Sequence, residues 1–264
     1  MPAGARQLRP DRGSCGKAGI SIIDPEDLQR GRKLALRYRL LRPLGRRGSV
    51  WLATDDNLQQ VVLKTGPADR VEQEYRVASA LIHPNIVRVL GYVDSEVGPI
   101  IAFEYLPGGD LVSLAGLDPA HWLPALRDVT AGLAYLHGQG LVHRDLKARN
   151  VMFDAGGTAR LIDFGSAAPV GSRWTVGGTT AEAISPDRGA GPVAFADDIY
   201  ALAALSHELI HGAPPQAGRR REPTTDVAPL ARLADTCLAT PKGQAATLGR
   251  FATVIESQLD QLRV

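Results

Sequence analysis

His143-Arg144-Asp145-Leu146-Lys147-Ala148-Arg149-Asn150, followed after a short strand-turn-strand stretch by Asp163-Phe164-Gly165, constrains this chain more than any other feature. It sets two carboxylates, an amide and an ammonium in one short span. Carboxylate and amide oxygens suit a hard cation such as Mg2+, which is usually held by one or two carboxylates together with substrate phosphate. An ammonium beside them suits a transferring phosphate, and a further carboxylate can orient a hydroxyl. Each tripeptide alone says little. All of them, in this order and at this spacing, are improbable by chance.

At 264 residues the chain can bury a sizeable core, either as one domain or as two small lobes around a cleft. A net charge of +2 singles out no nucleic-acid partner. The charge imbalance is local, because residues 1–47 hold twelve Lys and Arg against four Asp and Glu. That stretch reads as a solvated basic tail rather than a nucleic-acid or membrane arm. Cys15 and Cys237 are the only cysteines, too few for a disulfide framework and without metal-ligand spacing. The N-terminus lacks the apolar core of a signal peptide, and no stretch approaches the roughly 18 apolar residues of a membrane span. The expectation is a cytoplasmic protein with no membrane and no nucleic-acid partner.

Residues 1 to about 34 are rich in Gly, Pro, Arg and Ser, which predicts a largely flexible extension. From Tyr38 the pattern changes to short β-prone runs, Tyr38–Leu41, Val50–Ala53 and Val61–Lys64, separated by turn residues. Val71, Tyr75, Ala78 and Leu81 or Ile82 recur at helical spacing, and Pro84 ends the run. Two more strands are expected around Ile86–Val93 and Ile100–Tyr105. After Gly108-Gly109 the chain turns helical, with an amphipathic helix over Trp122–His137 and a helix apolar on nearly every side over Ile199–Ile210. Two further helices are expected near Val227–Leu238 and Ala246–Leu262.

With these surroundings, the 143–165 set resembles the catalytic and metal-binding loops of the eukaryotic-like (Hanks-type) serine/threonine protein kinases. The resemblance covers roughly residues 36–260 and is strongest from Lys64 to Asp198. It implies an α+β, two-lobed fold: a small antiparallel sheet with one main helix, a hinge, and a mostly helical second lobe. The corresponding division is an extension over 1–34, an N-lobe with hinge over 35–106, and a C-lobe over 107–264.

Leu44-Gly45-Arg46-Arg47-Gly48-Ser49-Val50 looks like the family's glycine-rich loop, where small residues let backbone N–H groups approach phosphate. It keeps two glycines, Gly45 and Gly48, against the usual three, and is about two residues shorter. Lys64 resembles the strand lysine that contacts the α- and β-phosphates of ATP. Its expected partner is Glu74, nine positions before His83-Pro84-Asn85-Ile86-Val87, with Glu72 as the competing choice. Alternation along the strand puts Val62 on the face of Lys64, where it and Val50 would roof the adenine. Phe103-Glu104-Tyr105-Leu106 resembles the hinge. Backbone groups of Glu104 and Leu106 would bond the adenine edge, Phe103 would restrict the pocket behind it, Asp110 would reach a ribose hydroxyl, and Met152 would form the floor.

The resemblance assigns Asp145 to the acceptor hydroxyl and its proton, Lys147 to the transferring phosphate, and Asn150 and Asp163 to Mg2+. Lys147 and Gly178-Thr179-Thr180 favour Ser/Thr hydroxyls of protein substrates, although Ala148-Arg149 is nearer to tyrosine-specific members. Arg144 could pair with a phosphate on the activation segment, with Thr175 the first candidate acceptor. Asp198 matches the helix residue that buttresses the catalytic loop. Asp187 stands where the family has glutamate, Gln244 replaces its expected arginine partner, and the docking helix after Pro214-Pro215 is shortened or missing. A nucleotide-binding pseudokinase scaffold and a small-molecule kinase are the alternative readings.

Overall fold

A computed structural model of the protein describes residues 28–45, 48–173, 191–215, 227–240 and 246–263. Strands β1 (Lys33–Leu34), β2 (Tyr38–Pro43), β3 (Val50–Thr54), β4 (Gln60–Thr65), β5 (Val89–Ser95) and β6 (Gly98–Glu104) form an antiparallel sheet. Their order is β1-β2-β3-β4-β6-β5. Helix α1 (Ala68–Ala78) connects β4 to β5. The remainder is mainly helical: α2 (Pro119–Gly138), α3 (Phe195–His211), α4 (Ala228–Ala239) and α5 (Leu248–Leu262). This is the two-lobed α+β arrangement that the pattern implied.

Period-two alternation sorts the side chains of the sheet between two cores. Leu40, Trp51, Ala53, Val61, Leu63, Ile100 and Ala102 point to one side and form a small cluster. Ile101 and Phe103, with Val62 packed beside them, point to the other and join a larger core that runs through α1, α2 and α3.

The small cluster also explains where residues 28–34 depart from a flexible extension. Leu28 and Leu34 are buried within it, β1 pairs with β2, and the Gly31 N–H donates to the Leu40 carbonyl at 2.8 Å. Without that cover the apolar face of β2 and β3 would meet water, so the end of the extension folds as part of the sheet.

Helix α1 stops earlier than its periodic pattern. Beyond Ala78 the N–H groups of Ala80 and Leu81 donate to Val77 and Ala78, a tightened turn that buries Leu81 and leaves Ile82 86% exposed. Leu81 is therefore the residue that completes the inward stripe. Asp118 caps α2 by accepting the Ala120 N–H at 2.9 Å, and Pro119 follows it in the first turn, so the helix begins three residues before Trp122. Gly212, at φ 70°, closes α3 with its N–H on Glu208 at 2.8 Å.

Two small pairings position the loops between α2 and α3. Strand β7 (Leu141–Val142) pairs with β10 (Ala168–Pro169), and β8 (Val151–Phe153) pairs with β9 (Ala159–Leu161). The β8–β9 hairpin returns the chain so that the Ile162 N–H donates to the Asn150 carbonyl at 3.0 Å. Asp163 is thereby brought back beside the 143–150 loop.

The hinge is fastened to the same hairpin. The Gly108 N–H donates to Phe153 at 2.9 Å, and a Cβ on Gly108 would lie 2.6 Å from the Phe153 Cβ and 2.9 Å from its carbonyl. The clash is with backbone and a rigid side-chain stem. Gly108→Ala is expected to destabilise the fold by about 1–3 kcal/mol, measured as a lower urea midpoint, and an unchanged midpoint would show that the hinge can yield.

Candidate active site

Between the sheet and the helical region lies a cleft of about 800 Å³. Val50 and Val62 line it from the sheet, with Phe103 directly opposite Val62 in the β4–β6 register. Met152 and Ile162 line it from the β8–β9 side, and Gly45, Asp110 and buried Leu106 complete its edge. Glu104 borders the cleft, but its carboxylate is otherwise engaged, accepting the Arg88 N–H at 2.7 Å and Arg160 at 3.0 Å. What Glu104 and Leu106 offer a ligand edge is consequently backbone. Gly48 does not line the cleft. It sits at φ 65° with its carbonyl accepting the Trp51 indole N–H at 2.7 Å, and Arg46 and Arg47 lie outside the described residues.

Lys64 is the charged centre of the cleft. Its Nζ lies 2.8 Å and 2.7 Å from the two oxygens of Glu74, and 2.9 Å from Asp163 Oδ1. Glu72, the competing acid, points outward to Arg76 at 3.4 Å. Burial tends to lower the Lys64 pKa, yet the Asp163 and Glu74 carboxylates outweigh it and raise it. Burial pushes the Glu74 carboxyl up, against the pull of Lys64, and the nearby Asp163 charge adds to the rise. Asp163 feels desolvation too, but Lys64, His143 and the Gly165 N–H hold its pKa below the ordinary aspartate value. The lysine thus stays charged, Asp163 stays ionised, and Glu74 is the easiest member of the trio to protonate.

The 143–150 loop is fixed from below by α3. Fully buried Asp198 accepts the His143 and Arg144 N–H groups, each at 2.8 Å, and His137 Nε2 lies 2.9 Å from the same carboxylate. Arg144 and Asp163 both hold left-handed backbone, at φ 68° and 66°. Such angles are costly for side-chain-bearing residues and persist only where the surroundings impose them. On this frame Asp145 Oδ2 accepts from Lys147 Nζ and from Asn150 Nδ2, both at 2.8 Å. Asn150 Nδ2 also reaches the Asp145 carbonyl at 2.8 Å, so its amide N–H groups are committed. The side-chain oxygen of Asn150 accepts no hydrogen bond among the described residues.

The structure therefore brings Lys64, Glu74 and Asp163 into direct contact, and Asp145, Lys147 and Asn150 into a second, adjoining group. Thr175, Thr179, Thr180, Asp187 and Gln244 lie outside the described residues. Three participants were not singled out from sequence. His137 adds a third contact on Asp198, Arg160 ties Glu104 to Asp154 with bonds of 3.0 Å to each, and Ile162 lines the cleft beside Asp163. Ile162 had a legible signal in its place before Asp163. The other two depend on partners 61 and 56 residues away, which no local pattern reveals.

The sequence pattern of one family, described as "Protein kinase domain", matches residues 44–246. The serine/threonine-protein kinase pkn2 of Myxococcus xanthus is 32% identical over 69% of this chain and 25% of its own length. The serine/threonine-protein kinase PknB of Mycobacterium leprae is 32% identical over 70% of this chain and 34% of its own. Mitogen-activated protein kinase kinase kinase 3 of Arabidopsis thaliana is 31% identical over 76% and 30%. The chain spans about a quarter to a third of the length of these curated relatives. The matched region encloses the Lys64 trio, the Asp145 loop and all of the cleft lining but Arg42, and the chain belongs to the protein kinase family, with the Hanks-type serine/threonine kinases.

Proposed function

We propose that this chain is an ATP-dependent protein kinase that transfers the γ-phosphate of ATP to Ser or Thr hydroxyls of protein substrates. The observation that carries the reading is the Asp145 carboxylate held between Lys147 Nζ and Asn150 Nδ2, beside a cleft whose lysine is clamped by two acids. Phosphoryl transfer passes through a loose transition state, so positioning and charge stabilisation do most of the work. In this reading Asp145 orients the acceptor hydroxyl and takes its proton, Lys147 steadies charge on the transferring group, and Lys64 holds the α- and β-phosphates. The backbone of Glu104 and Leu106 meets the adenine edge, under Val50 and Val62 and over Met152.

The donor set fits a hard divalent cation, and we assign Mg2+. Asn150 keeps an uncommitted amide oxygen, and the Asp163 side chain is 41% exposed, with Lys64 on one of its oxygens. No group of three His, Cys, Asp or Glu side chains placed to hold a metal ion by themselves occurs among the described residues. That pairing suits an ion held by two protein oxygens and substrate phosphate. Such an ion, when bound, neutralises charge on the phosphate oxygens. No helix among the described residues is long and apolar enough to cross a membrane. A cytoplasmic setting is in keeping with Cys237, a buried free thiol.

The acceptor class is tested by incubating the purified chain with labelled ATP, Mg2+ and either mixed proteins or a panel of hydroxyl-bearing metabolites. Label on phosphoserine or phosphothreonine is expected. Label confined to metabolites would favour a small-molecule kinase.

The charge state of the trio gives a pH prediction. Because the Glu74 pKa is raised, its ion pair with Lys64 is lost as pH falls through a value above the ordinary glutamate range, while Asp163 remains ionised to lower pH. An acid limb in kcat/KM is expected above the ordinary glutamate pKa. Glu74→Gln should remove that limb and lower the plateau. A profile of identical shape in the variant would assign the limb to another group.

A further inference from the structure

Most charged side chains lining the cleft are neutralised within it. Lys64 is engaged by Glu74 and Asp163, and Glu104 by the Arg88 N–H and Arg160. Arg149 is different. It lines the cleft, is exposed, and makes no hydrogen bond or ion pair among the described residues. Its backbone is not loose, because it occupies the middle of a short 3-10 turn, Ala148–Asn150, between two buried residues. The Asn150 N–H donates to Lys147 at 2.9 Å, and the Asn150 side chain is bonded to Asp145. Arg149 is therefore carried on the same rigid loop as Asp145, to which the reading above assigns the acceptor hydroxyl, two residues beyond Lys147. A second exposed cation, Arg42, lines the cleft from β2 and likewise has no partner among the described residues. Among the described residues that line the cleft, the acid left to answer them is Asp110, which is partly buried, bridges Met152 through its backbone, and forms no ion pair with either arginine.

We propose that Arg149 selects acceptor segments carrying an acidic side chain close to the phosphorylated hydroxyl, with Arg42 adding to the attraction. The inference rests on the protein-kinase reading above and names the substrate class for that site. A guanidinium presents a planar fork of donors that matches a carboxylate in two parallel bonds. A basic residue in the same place would be opposed by like charge in a partly desolvated cleft, so the arrangement both attracts one class and rejects another.

The test uses peptides with one Ser or Thr acceptor flanked by Glu, Ala or Lys, together with casein and histone as acidic and basic proteins. Wild-type protein and Arg149→Glu are compared by kcat/KM, with unfolding midpoints confirming that the variant folds. Wild type should favour Glu-flanked over Lys-flanked acceptors about tenfold or more, with the ratio shrinking as salt is added. Arg149→Glu should invert the ratio, a result that a purely structural role for Arg149 would not produce. Label transferred without regard to flanking charge, or a preference that survives in Arg149→Glu, overturns this proposal while leaving the kinase reading intact. ATP bound with no label on any acceptor sinks both.

Discussion

Asp145→Asn should reduce the rate of phosphoryl transfer at saturating ATP by about 10² to 10⁴-fold, the range for removing a positioned general base. The substitution keeps the size and planarity of the side chain but removes the negative charge on which Lys147 Nζ and Asn150 Nδ2 both converge at 2.8 Å. Two consequences follow together. The acceptor hydroxyl loses its proton acceptor, and Lys147 loses the anion that fixes its ammonium. Asp145 does not line the nucleotide cleft, so ATP affinity measured by calorimetry should change by no more than a few-fold. A rate within tenfold of wild type would mean that the proton leaves by another route, and would remove Asp145 from the role assigned to it.

Asp198→Ala should act on the fold as well as on turnover. The carboxylate is fully buried and receives two backbone N–H groups at 2.8 Å, with His137 Nε2 at 2.9 Å. Truncation leaves those groups without an acceptor in a place that water does not reach. An unsatisfied buried donor costs about 1–3 kcal/mol, and breaking a buried charged network about 3–5 kcal/mol. For a protein of this size that corresponds to a fall in Tm on the order of 10 °C. Turnover should be lost in parallel, because the left-handed turn at Arg144 is held by the same carboxylate. Asp198→Asn keeps one acceptor oxygen and should fall between the two. A Tm change below about 2 °C in the alanine variant would mean that the loop is anchored elsewhere.

The fold was legible wherever one local pattern decided the outcome. Alternation in Val61–Lys64 placed Val62 and Lys64 on one face because strand side chains have period two, and the structure keeps them there. The all-round apolar character of Ile199–Ile210 marked a buried helix, and α3 is buried along most of its length. Boundaries were less legible. Pro84 set an outer limit for α1, but the helix stops six residues before it, at Ala78, where tightened turns bury Leu81. Residues 28–34 are polar and basic in composition, and their two leucines gain a partner only when the sheet offers an apolar face. The same limit applies to the candidate site. Motif order identified the Lys64 and Asp145 groups, and spacing to His83 favoured Glu74 over Glu72. Links made across the fold, such as His137 to Asp198 and Arg160 to Glu104, carried no local sign.

Whether the chain catalyses transfer or only holds nucleotide is decided most directly by a single-turnover experiment. Protein in excess is mixed with γ-labelled ATP and Mg2+ in the presence of an acceptor protein, and bound ATP, free ADP and protein-bound label are followed together. Label should pass to Ser or Thr hydroxyls at the rate at which ADP appears, and removal of the metal by chelation should stop both. ATP that binds with Mg2+ present and is recovered intact, with no label on protein, would contradict the account and leave the cleft as that of a nucleotide-binding scaffold.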